Sequence, residues 1–267
     1  MPTASKSPAG KSSAPKNSAR ARSAGTGSAS ASAPAPKGSR RANDHDRAEH
    51  RWPAVGAILV ALTLYALLPS SFLPGLRIAV IAVCVLLLIP VVVINPVRFN
   101  RQTRWSRGAS IAGTAVLVIA NHVALGQLVI QLLMPENPEA HTLLLAATQV
   151  WITHVIVYAL VFWEMDRGGP VMRSTAKRED LPDADIRFPQ DEDHDAVTEV
   201  ARGSSISSNW TPSFVDYAYF ALTNTMAFSP PDAMALTPRA KILTGLQALG
   251  GYVILVLVIA RSVSLLG

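Results

Sequence analysis

Five long apolar runs, none containing Asp or Glu, begin near Pro53, Leu76, Ala109, His141 and Ala240. A helix that crosses a bilayer needs ~20 mostly apolar residues, because the hydrocarbon core is ~30 Å thick and a helix rises ~1.5 Å per residue. Residues 76–95, 109–134, 141–163 and 240–265 reach that length. Residues 53–68 reach it only if Trp52 and the 70–72 stretch lie at the interfaces. A sixth stretch, 213–228, is apolar and aromatic but short, and Ser229-Pro230-Pro231-Asp232 breaks it. The pattern predicts an all-α fold, a polytopic membrane helix bundle with five spanning helices and a short re-entrant helix. Six full crossings are the alternative.

Charge orients the bundle. Residues 1–52 hold ten Lys/Arg against Asp44, Asp46 and Glu49. The second and third runs are joined through Arg98, Arg101, Arg104 and Arg107, and Arg167, Arg173, Lys177 and Arg178 follow the fourth. The other two loops carry no charge or only Glu136 and Glu139. Basic flanks stay cytoplasmic during insertion, so the N-terminus is expected inside the inner (plasma) membrane. Trp52, Trp105, Trp163 and Trp210 fall at the same boundaries, where amphipathic rings settle.

Four regions follow. Residues 1–50 form a Ser/Ala/Pro-rich basic tail expected to be disordered, since it cannot bury enough apolar area to offset its ordering entropy. It is either solvated or held by anionic lipid headgroups. Residues 51–164 carry four transmembrane helices, 165–212 a cytoplasmic acidic loop, and 213–267 the short helix, Pro loop and final crossing. Residues 179–199 hold nine Asp/Glu against one Arg with no helical or strand period, which reads as a solvated loop able to pair loosely with the tail. Glu164, Asp166 and Arg167 could form an interfacial ion pair, and Gly168-Gly169-Pro170 is a helix stop.

Asp216-Tyr-Ala-Tyr-Phe-Ala-Leu-Thr-Asn-Thr, then Asp232, Leu236-Thr237-Pro238 and Ile259-Ala260-Arg261, resemble the pore helix, filter and inner helix of two-transmembrane potassium channels. The resemblance covers roughly the last 50 residues and implies Asp216, Asn224, Thr225 and Asp232 as pore-loop candidates. That family's glycine filter is replaced here by Thr225-Met226-Ala227-Phe228-Ser229-Pro230-Pro231, so a potassium-selective filter is not expected. The complete chain also resembles bacterial multi-pass integral-membrane proteins of uncharacterised function with an Asp-Tyr-x-Tyr-Phe segment before a final helix. That second resemblance implies no activity.

Polar groups at membrane depth are costly and mark candidates. Asn121 and His122 in the third run and Gln149 and His154 in the fourth lie at similar depth on neighbouring helices. They could relay a proton, bind a metal or line a polar path, or hydrogen-bond across helices as packing glue. A metal normally takes three or four ligands, and no third is visible. Ala240, Thr244, Ala248 and Tyr252 at four-residue steps read as a packing seam within the chain or between subunits of a homo-oligomer.

No nucleotide loop, zinc motif, Ser/His/Asp arrangement or redox pair appears, so no catalytic residue, metal or cofactor is expected. The tail lacks the interleaved aromatics of a specific nucleic-acid binder. The function expected is channel-like or transporter-like with a degenerate pore loop. A non-transporting scaffold or anchor acting through the tail and acidic loop is the alternative.

Overall fold

The computed structural model describes residues 52–68, 74–94, 104–133, 140–226 and 232–264. The basic tail, the loop with Glu136 and Glu139, and residues 227–231 of the Pro loop lie outside the described residues.

The described chain is mostly helical. Four helices come first: α1 (Trp52–Ala66), α2 (Pro74–Ile94), α3 (Arg104–Leu133) and α4 (Ala140–Met165). Then follow α5 (Pro170–Thr175), α6 (Thr198–Ala201), α7 (Ser205–Ser208), α8 (Phe214–Met226) and α9 (Pro238–Ser264). Among the described residues, three helices are long and apolar enough to cross a membrane, at Trp105–Leu133, His141–Gly168 and Pro238–Val263. Trp52–Ala66 and Arg77–Leu86 are shorter apolar helices. α2 and α9 open on Pro74 and Pro238, where the missing N–H costs nothing. α3 starts at Arg104, before its apolar run, because polar residues are tolerated in a first turn.

α4 is the central helix, packed against α1, α3, α8 and α9. Its Ala146, Val150, Val157 and Phe162 are buried. Side-chain pairs give the directions. Ser110, early in α3, donates to Glu164, late in α4 (2.9 Å), so these helices are antiparallel. α9 is antiparallel to α4: Leu243 shares a groove with Met165, and Ile254 and Val258 share a cleft with Leu144 and Trp151. α8 runs parallel to α9. Its Phe214 stacks edge-on against Trp163 at the end of α4, while its Thr225 lies against Gly251, well along α9.

A folded cap covers this end of the bundle. α4 stops in a 3-10 turn where Arg167, Gly168 and Gly169 take positive φ (49°, 78° and 91°). A Cβ on Gly169 would lie 3.1 Å from the Glu164 carbonyl oxygen, so glycine is needed for the close approach as well as for the φ. Pro170 then opens α5. Arg173 reaches back and donates to the Trp163 and Asp166 carbonyls (2.8 and 2.6 Å), closing the end of α4. Its guanidinium also lies 4.9 Å from the centre of the Tyr217 ring. β1 (Ile186–Arg187) pairs antiparallel with β2 (Met234–Ala235), immediately before α9.

The acidic segment is not uniformly solvated, contrary to its sequence pattern. Asp185 is fully buried, and its carboxylate accepts from Thr237 Oγ1 and from Arg239 Nε and Nη2 (2.5, 2.7 and 2.5 Å). Asp191 accepts from Arg167 Nη2, Ser205 Oγ and the Phe188 amide (2.6, 2.8 and 3.1 Å). Glu179, Asp180, Asp183, Glu192, Asp195 and Glu199 are exposed. The two structured carboxylates draw several partners from distant positions, so no local periodicity announces them. The ion pair expected near Glu164 is Asp166–Arg167 (2.9 Å), extended to Asp191.

Candidate functional site

The site grows from one face of α4. Val150, His154 and Tyr158 recur at four-residue steps and so share that face. Against it α3 places Asn121 and His122, and α9 places Gln247. His154 Nδ1 lies 2.8 Å from Asn121 Oδ1, and its Nε2 lies 3.0 Å from the Gln247 carbonyl oxygen. Asn121 Nδ2 faces the Val150 carbonyl at 3.4 Å. His122 pairs through Nδ1 with the Val118 carbonyl (2.8 Å) and through Nε2 with the Tyr158 hydroxyl (3.2 Å). The two imidazole centroids are 6.0 Å apart.

Proton bookkeeping distinguishes the rings. His122 is satisfied as a neutral ring, donating at Nδ1 and accepting from Tyr158 at Nε2. His154 faces an oxygen at each nitrogen, and a neutral ring can donate to only one of them. Protonation would satisfy both. Rotating the Asn121 amide so that Nδ2 meets the ring satisfies a neutral ring but turns Oδ1 toward the Val150 carbonyl, giving up that 3.4 Å contact.

The seam continues into α8 through Gln247, which is fully buried. Its Nε2 donates to the Ala221 carbonyl and Thr225 Oγ1 (2.7 and 2.6 Å), and its Oε1 accepts from Asn224 Nδ2 (2.8 Å). Asn224 also donates to the Thr244 carbonyl (3.0 Å). Gly250 and Gly251 permit this approach. A Cβ at Gly250 would come within 2.7 Å of the His154 ring, and one at Gly251 within 2.6 Å of the Thr225 carbonyl oxygen.

The sequence candidates therefore divide. Asn121, His122, His154, Asn224 and Thr225 come together in one seam. Gln149 does not: its amide points to the Leu67 carbonyl at 3.5 Å, beside α1. Asp216 and Asp232 line a separate pocket of about 160 Å³ at the cap end, with Gln190, Tyr219 and Thr223. Asp216 is already engaged at the start of α8, accepting from the Ser213 amide and hydroxyl (2.7 and 2.8 Å). Among the described residues, no group of three or more His, Cys, Asp or Glu is placed to hold a metal ion.

Sequence reasoning missed Tyr158 and Gln247. The signal for Gln247 was present, a lone amide inside an apolar run. It was masked by the four-step pattern of Ala240, Thr244, Ala248 and Tyr252. A helix of 3.6 residues per turn drifts ~40° at each four-residue step, so Tyr252 ends 56% exposed while Ala240, Gln247 and Gly251 are buried. No family model matches the chain, and no match was found among curated proteins or solved structures.

Proposed function

We propose that this chain is a channel-like or transporter-like protein of the inner (plasma) membrane, with its N-terminus in the cytoplasm. It makes five crossings, and α8 is a re-entrant half-helix. The observation that carries this reading is the parallel course of α8 and α9, both starting at the cap end. α8 is 13 residues long, about 20 Å, against a hydrocarbon core of ~30 Å. β2, which follows it, is paired with β1 of the cap, back where α8 began. A half-helix ending at membrane depth aims its partial negative charge inward, which favours a cation there. Asp216 and Asp232 form the mouth on this reading. Asn224, Thr225, Gln247, His154 and Asn121 continue the polar groups to the middle of the bundle.

Two experiments test it. In a chain without Cys84, Ile206→Cys and Asp232→Cys are both labelled from the same side of sealed vesicles by an impermeant thiol reagent. Labelling from opposite faces rules out the half-helix. In liposomes with an imposed proton or alkali-cation gradient, the protein supports flux that Asp216→Asn with Asp232→Asn diminishes. No flux of any tested ion, or flux indifferent to those changes, ends the permeation reading.

The mutual pairing of the seam favours a second reading, since side chains that satisfy one another across helices are what packing requires. On that reading the bundle is an anchor, and deleting residues 1–50 abolishes the cellular effect with the membrane part intact.

A further inference from the structure

Between α3, α4 and α9, at the cap end, lies a groove of about 440 Å³, inside the ~300–1,000 Å³ range of ligand sites. Its walls are apolar, formed mainly by Ile111, Ala115, Val118 and Ile119 of α3 with Val161 of α4 and Leu243 of α9. Ile111 and Ile119 are 48% and 64% exposed, so the groove opens sideways, out of the bundle. It extends about 18 Å along α3 from Arg107 to Ile119 at ~1.5 Å per residue.

Its charged residues lie at one end, and Thr114 is the single uncharged polar residue further along the lining. Arg107 and Arg239 belong to the opening turns of α3 and α9, so both stand at the cap end. Arg107 is exposed. Arg239 is 62% exposed and gives only its Nε and Nη2 edge to Asp185. The one carboxylate in the lining, Glu164, is buried and held by Ser110 Oγ (2.9 Å), turned toward α3. A slot that is cationic at the interfacial end and, Thr114 apart, apolar along its length matches an acyl chain beneath a negatively charged headgroup.

We propose that this groove binds one anionic phospholipid, its phosphate held by Arg107 and the outer edge of Arg239 and one acyl chain laid along α3. The inference rests on the membrane reading but not on transport. The site is separate from the α8–α9 seam and would serve an anchor as well as a channel.

The test uses the full chain in detergent, comparing phosphatidylglycerol with phosphatidylcholine of identical acyl chains by thermal unfolding and by native mass spectrometry. Phosphatidylglycerol is retained as a single copy. It binds about tenfold more tightly than phosphatidylcholine, the equivalent of one charge-assisted hydrogen bond. Arg107→Gln removes that preference, and Ala115→Trp, which fills the slot, weakens both lipids. Arg202→Gln, exposed in the cap, leaves the preference unchanged. Equal binding of the two lipids by the parent protein overturns the site, as does Arg107→Gln with an undiminished preference. Oleate binding at the phosphatidylglycerol level overturns the phosphodiester assignment. A chain that stays soluble and folded without detergent would instead sink the membrane reading itself.

Discussion

Replacing Asp166 by Asn should unlock the cap from the bundle. Asp166 Oδ1 accepts from the Asp185 and Ile186 amides (2.7 and 3.2 Å). Its Oδ2 accepts from Arg167 Nη1 and the Tyr217 hydroxyl (2.9 and 2.5 Å). One fully buried carboxylate thus joins α4, the strand segment and α8. An asparagine keeps one acceptor. If that oxygen stays on the two amides, its NH₂ is driven against two donors, the guanidinium and the phenol. Removing one partner of a buried ion pair costs ~3–5 kcal/mol. Summing all four bonds at the charge-assisted value would rival the whole stability of a typical protein, so the pairwise figure is the usable one. A loss of about 3 kcal/mol lowers Tm by roughly 6–12 °C for a domain of this size.

The assay pairs thermal unfolding in detergent with limited proteolysis of residues 178–212. Asp166→Asn should expose that segment to cleavage below the temperature at which the helices melt. Tyr217→Phe is the control: it removes one donor while three others remain on the carboxylate, a loss of about 1.5 kcal/mol, the low end for a bond to a charged group. The double variant should lose less than the sum of the two, because the phenol has no charged acceptor left to lose. An Asp166→Asn protein with parental Tm and protease resistance refutes this account. So does a Tyr217→Phe protein as damaged as Asp166→Asn.

Three further outcomes are expected. Gly251→Ala puts a methyl against the Thr225 backbone and should cost ~1–3 kcal/mol as overpacking, whereas Gly245→Ala, with open space around it, should be neutral or stabilise by ~0.5–1 kcal/mol; equal effects in thermal unfolding would contradict the parallel α8–α9 contact. Gln247→Leu strips Asn224 and Thr225 of a shared partner and should cost ~1–3 kcal/mol, measured as a Tm shift, while Gln149→Leu, outside the seam, should cost less. Burial pushes the Tyr217 hydroxyl well above its ordinary value of 10.0. The folded state therefore holds that proton more tightly than the unfolded one, and the resulting stability is complete below pH 10 and lost as pH rises beyond it; in denaturation profiles Tyr217→Phe should flatten that alkaline decline, and an unchanged slope would count against it.

The apolar runs gave α3, α4 and α9 within a few residues, because a span is specified by composition and length alone. Gly168-Gly169-Pro170 stopped a helix where expected, since the positive φ values there demand glycine locally. His122 and His154 could be set at one depth, because a short loop makes consecutive helices antiparallel, but the direct partner of His154 is the neighbouring Asn121. What stayed hidden depends on contacts between distant positions. Asp185 and Arg239 are 54 residues apart, and nothing near either shows that one buries the other. The acidic composition around Asp185 and Asp191 concealed them among exposed neighbours. Asp216 and Asp232 were grouped with Asn224 and Thr225 by the likeness to a pore loop, yet Asp216 at the start of α8 and Asp232 just before β2 line the cap-end pocket, while Asn224 and Thr225, late in α8, meet α9.

The hold on the first turn of α9 has a consequence for chain connectivity. Leu236 donates its amide to the Asp185 carbonyl (2.8 Å), β2 is zipped to β1, and Thr237 and Arg239 grip the Asp185 carboxylate. Every one of these attachments bypasses residues 227–231. Covalent continuity through that stretch is thus redundant for keeping the last helix docked. Two co-expressed polypeptides ending and beginning there would complement each other and be purified as one particle.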